Sequence, residues 1–204
     1  MSTKLADGDL RPLVPSLSLR GKNFVVTGGG RGIGYAATRA IAEMGGNVSV
    51  LDVLAEPVGD FEQLSSEFGV KSLYINTDVT KQESLASAFE QTAKEFGGID
   101  GCITAAGISL DKPFLDQTPE DIRRLNQINV EGTFMAAQCA TRHMIQQGKG
   151  GSIVMVGSVC ATVPTPGHRL SFYCGTKGAV NMMSKALSVE LAPHGIRCNT
   201  VSPG

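Results

Sequence analysis

Apolar residues along this 204-residue chain gather in short runs that alternate with stretches of helical spacing. The runs lie at 23–27, 47–51, 71–76, 100–104, 151–157 and 196–201, each of a length that suits a strand. Between them, helical spacing appears near 32–45, 57–68, 81–97, 119–147 and 171–193. In the first of these, Ile33, Ala36, Ala37, Ala40, Ile41 and Met44 recur at helical intervals. In the third, Leu85, Ala88, Phe89, Thr92, Ala93 and Phe96 form the inward face, and in the fourth the stripe reads Ile122, Leu125, Asn129, Gly132 and Ala136. Strands this apolar, alternating with helices, predict an α/β fold: a doubly wound parallel sheet of about six strands covered on both faces. Residues 1–20, punctuated by Pro12 and Pro15, lack any period and read as an N-terminal arm. Residues 21–204 read as a single domain.

The first strand runs into Thr27-Gly28-Gly29-Gly30-Arg31-Gly32-Ile33-Gly34, where five of eight residues are glycine. So many glycines allow a sharp turn and bring bare backbone N–H groups close to a bulky ligand. A helix opens directly after them, and its N-terminus attracts anions, phosphate above all. A nucleotide-triphosphate loop would need Lys then Ser or Thr after the last glycine, and Tyr35 and Ala36 stand there instead. The reading is a dinucleotide site. Asp52, about 18 residues beyond Gly34 at the end of the second strand, sits near the offset at which an acid bonds the adenosine ribose hydroxyls. Such a carboxylate repels a ribose 2′-phosphate and favours NAD, whereas Arg31 could pair with that phosphate and leaves NADP open. A cap on the following loop is the alternative for Asp52.

A second constellation lies downstream. The fifth strand delivers Ser158 to the carboxyl edge of the sheet, where ligands of open α/β folds bind. Tyr173 and Lys177 then stand at i and i+4 on a helix, sharing the face that continues with Val180, Ser184, Leu187 and Leu191. A lysine on an inward stripe is costly unless it has a partner or a task. Asn129 interrupts its own stripe in the same way, so its amide must be bonded to something.

Composition narrows the classes. With 42% apolar and 18% charged residues and a net charge of −1, nothing favours nucleic acid or a membrane surface. No apolar run approaches the ~18 residues of a membrane span, and the first residues lack the apolar centre of a signal peptide. Five widely spread cysteines, Cys102, Cys139, Cys160, Cys174 and Cys198, have no metal-pair spacing and read as reduced core thiols of a cytoplasmic protein. Cys174 adjoins Tyr173. No metal site is expected.

Thr27-Gly28-x-x-x-Gly32-x-Gly34, Asp78-Val79, Asn129-Val130-Glu131-Gly132, Ser158, Tyr173-x-x-x-Lys177 and Pro203-Gly204, in this order, resemble the short-chain dehydrogenase/reductases. The look of the loop between Ser158 and Tyr173 is most similar to fungal-type sugar and polyol dehydrogenases. The resemblance implies a Rossmann-type fold and an NAD(P)-dependent oxidoreductase interconverting a secondary alcohol and a ketone, in its narrower form a polyol and a ketose. It implies Tyr173 as acid/base, with Lys177 and the oxidised nicotinamide lowering its pKa. Ser158 would stabilise charge on the substrate oxygen, and Asn129 would hold a relay water. Cofactor contacts would come from Gly28, Arg31, Gly32, Ile33, Gly34, Asp52, Asp78 and Val79, with Ala106, Gly107, Tyr173, Lys177, Pro203 and Gly204. Asp78 could equally start the helix that follows it.

Thr104-Ala105 departs from the family's Asn-Asn before Ala106-Gly107. The family's seventh strand and substrate lid lie beyond Gly204, so the expectation is a domain incomplete at its C-terminus. A catalytically silent truncated relative, binding nucleotide or a full-length subunit, is the alternative. Partners are then a small-molecule alcohol or ketone and a second copy, joined through the helices near 119–147 and 171–193.

Overall fold

The computed structural model describes residues 17–204; most of the arm expected over 1–20 lies outside them. Six strands form one parallel sheet: β1 (Asn23–Thr27), β2 (Asn47–Asp52), β3 (Ser72–Asn76), β4 (Gly101–Thr104), β5 (Gly151–Val156) and β6 (Ile196–Val201). Their order is β3-β2-β1-β4-β5-β6, so the chain reverses direction across the sheet between β1 and β4. That reversal opens a crevice at the carboxyl ends of the two central strands, the position where doubly wound folds bind ligands.

The helices are α1 (Gly32–Glu43), α2 (Leu64–Phe68), α3 (Gln82–Phe96), α4 (Pro119–Asn126), α5 (Thr133–Gln147) and α6 (Ser171–Glu190). Helix α4 starts cleanly because Thr118 and Asp121 form a reciprocal capping box ahead of Pro119. Helices α3, α5 and α6 bury Leu85, Phe89, Ala136, Met144 and Val180 against Ile153, Met155 and Cys198 on one face of the sheet. On the other face α1 and α2 bury Ile41 and Leu64 against Val26, Val48 and Val50. No helix among the described residues is long and apolar enough to cross a membrane.

Several local expectations are corrected. The helix expected over 57–68 shrinks to a 3-10 turn at Phe61–Gln63 and α2, because Pro57 and Gly59 (φ +91°) hold the preceding chain out of helix. Helix α1 is rotated from its expected face: Gly34, Thr38, Ile41 and Ala42 are buried, whereas Ile33 and Met44 are exposed. Gly34 dictates this, since a Cβ there would stand 2.0 Å from the Gly28 carbonyl oxygen. Ile122 is exposed and drops out of the α4 stripe. The second core stops at β4, so β5 and β6 are covered fully on one face only. In β6 the buried Ile196 and Cys198 alternate with exposed Arg197 and Asn199, the signature of a half-exposed strand.

Candidate active site

Along the crevice runs a cleft of about 950 Å³. Gly28, Arg31, Gly32, Ile33, Gly34, Asp52, Asp78, Val79, Ala106, Gly107, Ser158, Tyr173, Lys177, Pro203 and Gly204 all line it, so every expected site residue except Asn129 borders one space. That volume is of the size that holds a cofactor together with a small molecule.

The glycine turn shapes one end. Gly28 (φ +68°) admits no side chain, because a Cβ would lie 2.5 Å from the Ala106 backbone. Gly32 (φ +57°) has open space where its Cβ would be, which leaves the cleft floor bare beside α1. The cap residue of α1, Arg31, makes no side-chain capping bond, so the first-turn N–H groups face the cleft without a capping acceptor. A phosphate would complete them.

Asp52 is buried, and its two oxygens are already engaged. Oδ2 accepts from Gly30 N at 2.9 Å and Oδ1 from Leu54 N at 3.0 Å. It therefore braces the glycine turn and caps the next loop, while keeping lone pairs for hydroxyl donors. Burial, and after it the Asp52 charge, pushes the neighbouring Tyr74 phenol up to about 12. Asp78 Oδ1 accepts from Thr80 N at 2.9 Å and Thr80 Oγ1 at 2.7 Å, a turn that precedes α3 and leaves the other oxygen without a hydrogen bond among the described residues.

Asn129 lies on a π-helical segment, Gln127–Gly132, inserted between α4 and α5. It is fully buried behind the cleft wall. Its Nδ2 donates to the Ile108 carbonyl at 2.9 Å and to Thr176 Oγ1 at 3.1 Å, and its Oδ1 accepts from Ile108 N at 2.9 Å. One amide thus ties the loop after β4 to α6. Close packing fixes the segment's far end, since a Cβ on Gly132 would meet Val79 Cγ2 at 2.7 Å.

Ser158 lies two residues past the end of β5, and its Oγ accepts from Cys160 N at 3.2 Å. Lys177 is 6% exposed, and its Nζ donates to the Val156 carbonyl at 2.7 Å. Burial drops its ammonium to about 8. Lys177 Nζ also lies 5.9 Å over the Tyr173 ring, so phenol, amine and Ser158 share one corner. Burial raises the Tyr173 pKa, the Ser158 side chain opposes that rise, and Cys160 and Cys174 add to it; the lowering expected of Lys177 belongs to the site with an oxidised nicotinamide beside it.

The sequence reading missed Arg124 and Gln127, which also line the cleft. They stand at i and i+3 ahead of Asn129, and that spacing was the available signal. It missed as well the Val156 carbonyl, since no side chain announces it. Two cysteines expected in the core, Cys160 and Cys174, are partly exposed beside Tyr173, whereas Cys102, Cys139 and Cys198 are buried. His168 pairs with Asp111 at 3.1 Å, as does Arg169 at 2.7 Å.

Comparison with known proteins gives concordant matches. A family profile described as short chain dehydrogenase matches residues 22–204. A 2,5-dichloro-2,5-cyclohexadiene-1,4-diol dehydrogenase of Sphingobium indicum is 35% identical over 91% of this chain and 73% of its own length. An L-rhamnose 1-dehydrogenase (NAD(P)(+)) of Sphingomonas is 32% identical over 91% of this chain and 73% of its own. Among solved structures, a short-chain type dehydrogenase/reductase from Mycobacterium marinum superposes with a TM-score of 0.89 at 37% identity, covering 94% of this chain and 76% of that one.

Proposed function

The chain belongs to the short-chain dehydrogenase/reductase family of oxidoreductases, and on that premise we propose that it interconverts a secondary alcohol and a ketone with NAD(P), a polyol and ketose being the finer substrate class. The observation that carries this reading is the meeting of Ser158, Tyr173 and Lys177 in the same cleft as the glycine turn. The diol and rhamnose specificities in the names of two relatives support a hydroxylated substrate.

The residues present fit a dinucleotide. Gly28 and Gly34 pack too closely for any Cβ, and the uncapped start of α1 offers N–H groups to a diphosphate. Asp52 would take the ribose hydroxyls, which supports NAD over NADP; Arg31 keeps NADP accessible. Asp78-Val79 would border the adenine, with Ala106-Gly107 and Pro203-Gly204 toward the nicotinamide. Bound there, the cofactor supplies the hydride acceptor or donor.

The protein supplies the rest. Ser158 Oγ donates to the substrate oxygen and stabilises charge developing on it. Tyr173 exchanges the proton at that oxygen. Because burial holds the phenol above its ordinary value, Tyr173 is protonated at neutral pH, the form that donates to a ketone. Oxidation of an alcohol needs the phenolate and gains from higher pH. Lys177 orients the nicotinamide ribose. Asn129 Oδ1 and Lys177 Nζ lie 3.3 and 3.6 Å from the point where a Gly107 side chain would begin, so a water between them would join the relay.

Residues 21–204 act as one catalytic domain in this reading, in the cytoplasm, and as a homo-oligomer. Exposed Phe134, Met182 and Val189 on α5 and α6 support the pairing of those helices with a second copy. Tyr173→Phe tests the assignment. Turnover should fall by about 10²–10⁴-fold, the worth of a general acid/base, with cofactor affinity within a few fold by NADH fluorescence. Loss of affinity instead would make Tyr173 structural, and a wild-type chain that binds NADH yet turns over no alcohol or ketone would be a silent relative.

A further inference from the structure

A chain of contacts that begins on a neighbouring strand holds the Asp52 carboxylate. In the β2–β3 register Asp52 stands beside Asn76, the last residue of edge strand β3. Asn76 Nδ2 donates to the carbonyls of Val53 at 3.0 Å and Leu54 at 2.8 Å, with the Asp52 carbonyl farther off at 3.4 Å. The Val53 carbonyl shares a rigid peptide plane with the Leu54 N–H. That N–H donates to Asp52 Oδ1 at 3.0 Å. One planar group is therefore gripped by Asn76 on one side and holds the carboxylate on the other. Two residues back on the same face of β3, Tyr74 Oη also donates to the Leu54 carbonyl, at 2.9 Å. The Tyr74 ring is steadied edge-on by Phe61, with the centroids 5.6 Å apart. We propose that Asn76 is a positioning residue for cofactor choice: by fixing the Val53–Leu54 peptide it immobilises the Asp52 carboxylate and so enforces NAD over NADP.

Immobility matters here as much as charge. A carboxylate on a loose turn could swing aside and admit a ribose 2′-phosphate; one that cannot move must repel it. Gly30 N pins Oδ2 at 2.9 Å and Leu54 N pins Oδ1, so neither oxygen can leave without stranding a backbone donor. The lone pairs that remain accept hydroxyl hydrogens, which a ribose offers and a phosphate dianion does not. Val53, exposed and bordering the cleft beside Asp52, presents an apolar side chain that offers a phosphate no compensating charge. Arg31 borders the same cleft as the competing cation. With Asp52 held, its repulsion offsets the attraction of Arg31; with Asp52 released, the arginine prevails.

The proposal rests on the dinucleotide reading above, and the test separates the two. Asn76 is exposed at the end of an edge strand, so replacing it leaves the core untouched. Fluorescence titrations with NADH and NADPH compare wild type with Asn76→Ala and Asn76→Leu, which remove the amide without and with replacement of its bulk. Circular dichroism confirms that each variant is folded. Wild type should bind NADH more tightly. In the variants the NADPH-to-NADH affinity ratio should rise by about fivefold, the worth of one lost hydrogen bond. In an Asp52→Ala background the same substitutions should move the ratio by less than about twofold, because the carboxylate through which Asn76 acts is gone. A residue serving stability alone would weaken both cofactors equally or neither. An unchanged ratio in a folded variant, or an equal rise without Asp52, would overturn the proposal. So would a wild type that binds NADPH at least as tightly as NADH, with the dehydrogenase reading left standing. A wild type that binds neither cofactor would overturn both.

Discussion

Lys177→Met is expected to stabilise the protein at neutral pH while ending turnover. Lys177 is 6% exposed, and burial pulls its ammonium from 10.5 to about 8. At 1.36 kcal/mol per pH unit, holding the charged form inside costs about 3 kcal/mol at pH 7. Methionine keeps most of the length and carries no charge, so it removes that penalty. It also deprives the Val156 carbonyl of the donor now 2.7 Å away, at about 1–2 kcal/mol. The net gain is about 1–2 kcal/mol, or a Tm rise of roughly 2–8 °C for a chain of this size.

The pH dependence supplies the sharper check. The folded pKa lies below the unfolded one, so between about 8 and 10.5 the folded state binds fewer protons and stability from this group rises with pH. Below that window the full penalty applies; above it the amine is neutral in both states. Urea titrations of wild type and Lys177→Met at pH 7 and pH 10 measure the difference, other titrating groups cancelling. By pH 10 the remaining penalty is below about 1 kcal/mol, so the variant should lose its lead and fall level with or behind wild type. A variant weaker than wild type at pH 7, or a lead that does not shrink with pH, would refute the buried-charge reasoning.

Two further substitutions probe the other end of the cleft. Asp52→Ala should raise the NADP-to-NAD affinity ratio, read by fluorescence titration with each cofactor; an unchanged ratio would remove the carboxylate from the ribose. The same variant strips an acceptor from Gly30 N and Leu54 N and should lose about 1–3 kcal/mol in urea. Gly34→Ala places a methyl 2.0 Å from the Gly28 carbonyl oxygen, so α1 must shift; about 1–3 kcal/mol of stability and most cofactor affinity should go. An alanine variant that binds NADH normally would show that close packing of this turn is not what positions the phosphates.

What the sequence displayed was local. The six strands begin and end within a residue or so of their apolar runs, because burial of a short β-branched segment leaves its mark in consecutive positions. The glycine turn and the Tyr173/Lys177 pair were legible for the same reason, being defined by spacing of eight residues or fewer. Long-range contact was not. The face of α1 depends on how closely Gly34 meets Gly28, the exposure of Ile122 on how α4 sits, and the state of Tyr173 on how far the folded chain buries it. The partner of Lys177 is a carbonyl, a group every residue owns, so no side-chain pattern could single out Val156.

Three features near the cleft are poor choices for stability alone. A buried ammonium has one carbonyl partner, a π-helical segment breaks the regular bonding between α4 and α5, and a buried amide spends its bonds on a loop and on a threonine. Scattered through the molecule they would be independent defects. Here they are linked: the π segment carries Asn129, Asn129 holds Ile108 and Thr176, and Thr176 stands beside Lys177 on the helix that carries Tyr173. Regular helix from Pro119 to Gln147 would lack the extra residue that the π segment accommodates, turning Asn129 away from Ile108. The irregularity is therefore best understood as what aims the amide, and the amide as what fixes the distance between the loop after β4 and the Tyr173/Lys177 face.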